Sequence, residues 1–286
     1  MISAFCPAHI SCFFKPSDSE DILRKGSSGA GIRLSSGTRT SIEETDGKTS
    51  VTIDGAPFDA GITRLVLERL APGKTFSVEI DNALPMGQGF GMSASGAVST
   101  ALCVAELMGI KKDEAFRAAH AADIIGGGGL GDVAGLLNET HQPTRTAAGL
   151  PPVGKMAYSG LSFSKLTVAV LGPKVSTASV LGDPVKYKLV QDKGGNALND
   201  FLHSMTVEDL FYVSNRFSSS VGVECPEVSA AIRRLRSDGI RSAMCMLGNS
   251  LFIDAGESEV RKTLGDDVYL RTVASTAEPA RVIRKG

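Results

Sequence analysis

The chain has 286 residues, enough for one large domain or two of ordinary size. Its 30 Lys and Arg residues balance 31 Asp and Glu residues, which argues against a nucleic-acid-binding protein that works by bulk electrostatics. The composition, 42% hydrophobic and 21% charged, is typical of a folded globular protein and excludes a disordered chain. Glycine is enriched, at 32 residues, and the excess is concentrated in a few segments.

The five cysteines are odd in number and widely spaced, and no two form a C-x-x-C pair. This pattern argues against a disulfide framework or a structural zinc site and favours small buried side chains in a reducing compartment. The first fourteen residues are apolar but lack the cationic start of a signal peptide. No uncharged stretch reaches the roughly 18 apolar residues of a membrane span. We therefore expect a cytoplasmic protein without a membrane or nucleic-acid partner.

The first eighty residues predict mainly strands and turns. Short apolar runs at 2–6 and 8–14 are separated by Pro7, and looser strand patterns follow at 29–34, 40–44 and 50–54. A short helix is predicted at 62–70. The clean alternation at 75–81 then predicts another strand.

The rest of the chain predicts helices first and then a mixture of helices and strands. Apolar residues at helical spacing predict helices at 93–108 and 113–125 and a shorter one from near Asp132. A soft boundary near Pro151 and Pro152 divides the chain into two lobes, so the expected class is α+β. Beyond it the predicted elements are strands at 165–171, 241–246, 251–254 and 268–274 and helices at 206–219 and 227–236. The helix at 206–219 opens with Thr206 and Asp209 in the spacing of a capping box.

The segment 84–96 carries the strongest functional signal. Gly87, Gly89 and Gly91 alternate between a predicted strand and a predicted helix. Without Cβ atoms, backbone N–H groups approach an anion closely, and the helix N-terminus adds a positive dipole end. Ser93 and Ser95 add hydroxyls in the first turn. The pattern predicts a phosphate-binding loop; the alternative, a hairpin followed by an N-cap serine, explains the three glycines less well.

Two common nucleotide-binding loops are excluded. The Gly-Lys-Thr triplets at 47–49 and 73–75 have Ile42 and Glu68 where a Walker A loop needs its first glycine. A dinucleotide fingerprint occurs at 89–94, but no strand with an acidic end follows the helix. A nicotinamide-dependent hydride-transfer enzyme is therefore disfavoured.

Residues 85–95 resemble the central signature of the GHMP kinases, the family of galactokinase, homoserine kinase and mevalonate kinase. The resemblance implies that this loop wraps the ATP phosphates and that Ser93 helps to hold Mg²⁺. It also implies a two-lobed fold, with a lobe like ribosomal protein S5 domain 2 at 1–152 and a ferredoxin-like lobe at 153–286. The ATP-binding candidates are Pro85, Gly87, Gln88, Gly89, Phe90, Gly91, Met92, Ser93, Ala94 and Ser95.

A second glycine-rich turn, at 126–135, places Asp132 where the resemblance requires the catalytic aspartate. Phosphoryl transfer needs an acid that orients and deprotonates the attacking hydroxyl, and Asp132 is the candidate for that role. The alternative role of Asp132 is the N-cap of the next helix, which does not exclude catalysis. Asp123 is the candidate acidic Mg²⁺ ligand, with His120 as a nearby competitor.

The N-terminal segment at 7–14 has His9 where many members of the family carry the cation that helps to activate the acceptor. An imidazole in that place either donates a hydrogen bond when neutral or pairs with a carboxylate when protonated. The third glycine-rich motif of the family is reduced to residues 246–252, which include Gly248 and Asn249. Together with segments 26–31 and 129–133, these features resemble the archaeal pantoate kinases.

That closer resemblance implies transfer of the ATP γ-phosphoryl group to the primary hydroxyl of pantoate, giving 4-phosphopantoate for coenzyme A biosynthesis. The substrate carboxylate needs a cation or a helix N-terminus. The candidate cations, which the sequence does not rank, are His9, Lys15, Arg33 and Arg145. Ser28, Gly248 and Asn249 are further substrate-binding candidates, although turn-stabilising roles suit Ser28 and Asn249 equally well.

Two alternative functions stay open at this point. The first is a kinase of the same family that acts on mevalonate, a mevalonate phosphate or homoserine, each of which also pairs a hydroxyl with a carboxylate. The second is a catalytically silent nucleotide-binding regulator. The retention of Ser93 and Asp132 argues against this alternative. A homodimer is expected only on general grounds.

Overall fold

In the computed structural model the described residues, 1–175, 177 and 181–283, form two β-sheets flanked by helices. In chain order the elements are β1 (Ile2–Ser17), β2 (Gly26–Glu44), β3 (Ser50–Ile53), β4 (Ala56–Pro57), α1 (Gly61–Leu70), β5 (Phe76–Asn82), α2 (Met92–Met108), α3 (Lys112–Ile125), α4 (Asp132–Leu137), β6 (Pro143–Ala147), β7 (Lys155–Tyr158), β8 (Leu166–Val170), α5 (Pro184–Leu202), α6 (Val207–Val221), α7 (Pro226–Ser237), β9 (Ser242–Met244), β10 (Ser250–Ile253), α8 (Glu257–Leu264), β11 (Tyr269–Val273) and β12 (Arg281–Ile283).

The first sheet has the strand order β12-β1-β2-β5-β3-β4, with β6 paired to β2 and β7 paired to β6. Helices α2 and α4 pack against it, and α1 and α3 pack against α2. Along strands of this sheet such as β5, buried side chains alternate with exposed ones. The buried ones, such as Phe76, Val78 and Ile80, form the core together with the small residues of α2 and α3. Because small residues (Ala, Gly, Ser and Cys) make up most of the buried face of α2, this helix lies close to β1 and β2.

The second sheet is antiparallel and has the order β11-β8-β10-β9. With helices after β8 and β10, this is the strand order of a ferredoxin-like β-α-β-β-α-β unit. Its core joins the apolar faces of α5 to α8 to residues of β1 and β2, including Ile10, Phe13 and Ile32. Strands β1 and β2 therefore belong to both cores and connect them.

Pro7 does not end the first strand as the sequence predicted, because it lies at a bulge within the single long strand β1. The register with β2 shifts between Pro7 and Ala8, where the loss of one backbone donor is tolerated. Before the bulge Cys6 faces the first core, and after it Ala8 faces the second. The bulge thus turns His9 towards the side of β1 on which α4 lies.

Helices α5 and α8 and the short strands β4, β6, β7 and β12 were missed in the sequence analysis, and the segments 29–34 and 40–44 are parts of the one strand β2. Gly194 and Gly195 weaken the helical pattern of α5. In the fold Gly194 has a packing role, because a Cβ there would clash with the carbonyl of Phe14. The other helices and strands predicted at 62–81, 93–125 and beyond 165 are confirmed within a few residues.

The N-terminus of α6 allows a direct stability test of the predicted capping box. Thr206 is the N-cap, and its side chain accepts a hydrogen bond from the backbone N–H of Asp209. We expect Thr206→Ala to lower the free energy of unfolding by about 1 kcal/mol. Urea denaturation measures this change, and Thr206→Ser, which keeps the hydroxyl, serves as the control. An unchanged stability of the alanine variant would contradict the role of the cap.

The cysteines are free thiols, and four of them are buried as predicted, whereas Cys225 is only half-buried. Burial raises the pKa of Cys6, Cys103 and Cys245 to about 12. These thiols are therefore protonated apolar side chains at neutral pH.

The predicted division of the chain at residue 152 stays a prediction. Strands β7 and β12 both lie beyond that residue, yet they pair with β6 and β1 in the first sheet. Within the described ranges, no helix has the length and apolar character needed to span a membrane.

Candidate active site

A cavity of about 110 Å³ lies where the segment 87–93, the glycine turn at 128–132 and the strands β1 and β2 meet. The two segments that the sequence singled out, far apart in the chain, therefore both line one site. The lining residues are Ser11, Phe14, Ser27, Gly87, Gly89, Phe90, Gly91, Met92, Ser93, Gly128, Gly129, Leu130, Gly131, Asp132, Val175, Thr177, Met246 and Leu247.

The alternating glycines are required by both backbone conformation and packing. Gly87, Gly89 and Gly91 have φ of 74°, 73° and 66°, in the left-handed region that other residues rarely adopt. A Cβ on Gly89 would lie 2.7 Å from the carbonyl oxygen of Met246, and one on Gly91 would clash with the carbonyl of His9. The loop is thus held between β1 and the turn after β9, with its backbone facing the cavity.

Asp132 begins α4 and is the one carboxylate in the cavity lining that the structure describes. Its Oδ1 lies 2.5 Å from His9 Nδ1 and accepts a hydrogen bond of 3.4 Å from the Ser11 hydroxyl. The His9 side chain is fully buried, whereas 17% of the Asp132 side chain is exposed. The predicted pair of catalytic residues, His9 and Asp132, is therefore in direct contact.

The environment of Asp132 keeps it ionised. Burial alone would raise the pKa of this carboxyl, but the hydrogen bond from His9, the positive charge of Arg145 and the Ser11 hydroxyl together lower it below its usual range. An ionised carboxylate beside a cavity can accept a proton from a hydroxyl bound there.

The four candidate cations for a substrate carboxylate occupy different places, and none lines the cavity among the described residues. Arg145 is fully buried behind His9, and its Nε donates to the carbonyl of Ser27 at 3.2 Å. Arg33 is also buried and donates to the carbonyls of Thr140 and Glu278. Lys15 lies near the end of β1, with its side chain exposed.

Ser93 and Asp123, the two predicted Mg²⁺ ligands, are brought together. The Ser93 hydroxyl donates to Asp123 Oδ1 at 2.9 Å. A Cβ on Gly128 would overlap Asp123 Oδ1 and come within 2.9 Å of the Ser93 hydroxyl, so the missing side chain leaves room beside both oxygens. Burial, followed by the nearby charge of Asp132, raises the pKa of Asp123 to about 8.

This oxygen pair fits Mg²⁺. Mg²⁺ is usually held by one or two carboxylates and by substrate phosphates rather than by a complete protein cage. The described part of the chain has no cluster of three or more His, Cys, Asp or Glu side chains placed to hold a metal. The competitor His120 instead lies with Nε2 3.1 and 3.2 Å from the carbonyls of Ile22 and Lys25.

Several other predicted residues lie outside the cavity lining, in supporting positions. The Ser95 hydroxyl is buried and donates to the carbonyl of Cys6. Gln88 and Asn249 donate to the carbonyls of Gly172 and Pro173, which anchors the segment after β8. Pro85, Ala94, Ser28 and Gly248 are also outside the lining, and Gly248 packs against the backbone of Gln88.

Ser11 and Ser27 line the same cavity as Asp132, and the sequence analysis missed both of them. A signal for Ser11 exists, because it follows His9 by two residues in a strand and so belongs to the same face. Val175 also has no sequence signal; its N–H donates to the carbonyl of Gly87 and holds the segment after β8 against the glycine loop.

A second cavity, of about 230 Å³, lies beside the first and shares Met92 and Ser93 with it. Its walls come from β3, β5 and the starts of α1 and α2, and they are mostly apolar. The remaining lining residues are Ile53, Phe58, Asp59, Ala60, Gly61, Ile62, Thr63, Ile80, Asn82, Met86, Gly96 and Gly126.

Comparison with known proteins agrees with this geometry. Residues 60–138, which hold both glycine segments, match the model of the GHMP kinases N terminal domain. A curated protein of Thermococcus kodakarensis named pantoate kinase is 36% identical over 94% of this chain and 93% of its own length. The chain belongs to the GHMP kinase family.

Two further comparisons extend the similarity of this GHMP kinase along its whole length. A protein of Methanocaldococcus jannaschii, also named pantoate kinase, is 24% identical over 87% of this chain and 90% of its own. A solved structure titled "Phosphotransferase related to CoA biosynthesis pathway" has a TM-score of 0.88 and 31% identity, covering 99% of this chain and 98% of that one. The predicted family and the predicted α+β fold are confirmed.

Proposed function

We propose that this GHMP kinase transfers the γ-phosphoryl group of ATP to the primary hydroxyl of pantoate, giving 4-phosphopantoate for coenzyme A biosynthesis. The observation that carries the proposal is that Asp132, an ionised carboxylate, lines the same cavity as a phosphate-binding type of glycine loop. The shared name of the full-length relatives supports the choice of pantoate.

In the proposed reaction, the pantoate hydroxyl lies against Asp132 and its oxygen attacks the γ-phosphorus. A new P–O bond forms, the bond to the bridging oxygen of ADP breaks, and the hydroxyl proton passes to the Asp132 carboxylate. In this proposal the hydroxyls of Ser11 and Ser27, two residues that line the same cavity, bind the carboxylate and the second hydroxyl of pantoate.

The nucleotide phosphates bind to the N–H groups of the loop 87–93 and to the N-terminus of the 17-residue helix α2. Ser93 and Asp123 would hold Mg²⁺, which supplies the positive charge that phosphoryl transfer needs. The transfer therefore takes place between the two glycine segments.

The adenine ring is assigned to the second cavity, because that cavity is apolar and adjoins the phosphate loop. Gly96 tests this assignment: it lines the cavity from within α2, and no heavy atom lies within 4 Å of a Cβ added to it. Gly96→Leu should fill the cavity and raise the KM for ATP about 10-fold or more. Steady-state kinetics measure this change.

Gly96→Ala is the matched control, because a methyl group leaves most of the cavity open. It should keep the KM for ATP and stabilise α2 slightly, since alanine favours a helix more than glycine does. A Gly96→Leu protein that melts like the wild type and has an unchanged KM would place the adenine ring elsewhere.

A panel of acceptors separates the proposal from its alternatives. The purified protein is incubated with Mg-ATP and pantoate, mevalonate, mevalonate 3-phosphate, homoserine or galactose, and ADP release is measured. ADP release with pantoate alone is expected. Release with another acceptor would keep the kinase and discard pantoate. ATP binding without turnover of any acceptor would favour the catalytically silent regulator.

A further inference from the structure

His9 lies between a carboxylate and a guanidinium group, and this fixes the position of its proton. Its Nδ1 is 2.5 Å from Asp132 Oδ1, and its Nε2 is 3.3 Å from Arg145 Nη1. A guanidinium group has donors only, so Nε2 must present a lone pair to Arg145. The ring proton is then on Nδ1, where the carboxylate accepts it. The contacts together select a neutral imidazole.

The backbone around the His9 and Arg145 side chains has glycines where a larger residue would clash with them. A Cβ on Gly31 would clash with His9 Nε2, and a Cβ on Gly135 would lie 2.6 Å from the same atom. A Cβ on Gly131 would lie 2.6 Å from Arg145 Nε. Three glycines on β2, on α4 and in the turn before α4 thus make room for the imidazole and the guanidinium group rather than for a ligand.

Arg145 itself is held firmly. It lies on β6, is fully buried, and donates from Nε to the carbonyl of Ser27. Its Nη2 is buried without a hydrogen-bond partner among the described residues. No carboxylate forms an ion pair with it in the described part of the chain, and its charge acts on His9, Asp132 and the Cys12 thiol.

We propose that Arg145 is a positioning residue for the phosphoryl transfer, holding His9 as the neutral Nδ1–H tautomer so that His9 orients Asp132 through Oδ1. The second oxygen of Asp132, Oδ2, lies beside Gly129 and is left to receive the substrate proton. This inference rests on the proposed function for its catalytic consequence, whereas the tautomer itself is a property of the protein alone.

The charged groups that face His9 come from three elements: Asp132 from α4, Arg145 from β6 and Arg33 from β2. Burial is the main cause that lowers the pKa of His9, and the two guanidinium groups lower it further, while Asp132 opposes them. Loss of Arg145 should therefore raise the pKa of His9. A protonated His9 would pair more strongly with Asp132 and make that carboxylate a weaker base.

The first test reads the tautomer directly, by nitrogen-15 NMR of the histidine rings of the wild-type protein at about pH 7, with His9→Gln to assign the signals. We expect one ring with a protonated Nδ1 and an unprotonated Nε2. A doubly protonated His9, or one with its proton on Nε2, would overturn the proposal. This measurement needs no substrate, so it stands whether or not pantoate is the acceptor.

The second test compares Arg145→Met with Arg145→Lys, which keeps a donor and a charge. We expect Arg145→Met to lower kcat about 10- to 100-fold with little change in the Kd for ATP. The loss should be larger at about pH 6 than at about pH 8, because His9 of the Arg145→Met variant gains a proton at the lower pH. Arg145→Lys should recover part of the activity. A loss that is equal at both pH values, or that Arg145→Lys does not relieve, would indicate a merely structural role. If Arg145→Met does not fold, the tautomer measurement decides.

Discussion

Replacing Asp132 with Asn is expected to lower kcat about 10²- to 10⁴-fold, the usual contribution of a general base. The amide keeps the size of the side chain and can still contact His9, but it cannot take up the proton of the substrate hydroxyl. The Kd for ATP should change less than about twofold, because Asp132 is assigned to the acceptor hydroxyl, whereas the ATP phosphates are assigned to the loop 87–93. Single-turnover kinetics with saturating ATP and pantoate measure the effect on the chemical step.

Asp46→Asn is the matched control for Asp132→Asn. Asp46 is exposed in the turn between β2 and β3, far along the chain from both glycine segments. Wild-type kinetics are expected for this variant. Near-normal turnover of Asp132→Asn would remove Asp132 from its role as the base.

Replacing Asp123 with Asn should weaken Mg²⁺ binding and lower kcat by at least about 10²-fold, because metal neutralisation of phosphate charge contributes several kcal/mol to phosphoryl transfer. The substitution removes the carboxylate charge while keeping an oxygen beside the Ser93 hydroxyl, 2.9 Å away in the present pair. Titration of activity with Mg²⁺ at saturating ATP measures the change, and excess Mg²⁺ should restore part of the activity.

Asp113→Asn is the control for that experiment, because Asp113 lies in the first turn of the same helix, α3, and is exposed. It should leave the Mg²⁺ dependence unchanged. An Asp123→Asn protein with the wild-type Mg²⁺ dependence would exclude Asp123 as a ligand and leave Ser93 as the remaining candidate.

The parts of the site predicted from the sequence are those in which local backbone geometry dictates residue type. Left-handed conformations at Gly87, Gly89 and Gly91 exclude most side chains, so the loop is visible as a glycine pattern. Asp132 is visible because the turn before it is also made of glycines. The regular helices α2 and α3 follow from their apolar periodicity.

The parts not predicted depend on contacts between distant segments. Whether Pro7 ends a strand depends on its pairing with β2, which no local pattern shows. Helix α5 includes Gly194 because the helix packs against Phe14, 180 residues earlier in the chain. Arg145 is one of four candidate cations that the sequence does not rank, and only the fold shows that it is completely buried behind His9.

The identity of the phosphorylated product tests the central claim most directly. After incubation of the protein with Mg-ATP and pantoate, phosphorus-31 NMR of the product distinguishes the two hydroxyls of pantoate. A phosphate on the primary hydroxyl couples to two methylene protons and gives a triplet, whereas one on the secondary hydroxyl couples to a single proton and gives a doublet. We predict a triplet that accumulates with ADP and that accumulates at least about 10²-fold more slowly with Asp132→Asn. A doublet, or hydrolysis of ATP to inorganic phosphate without a new phosphomonoester, would contradict the proposed function.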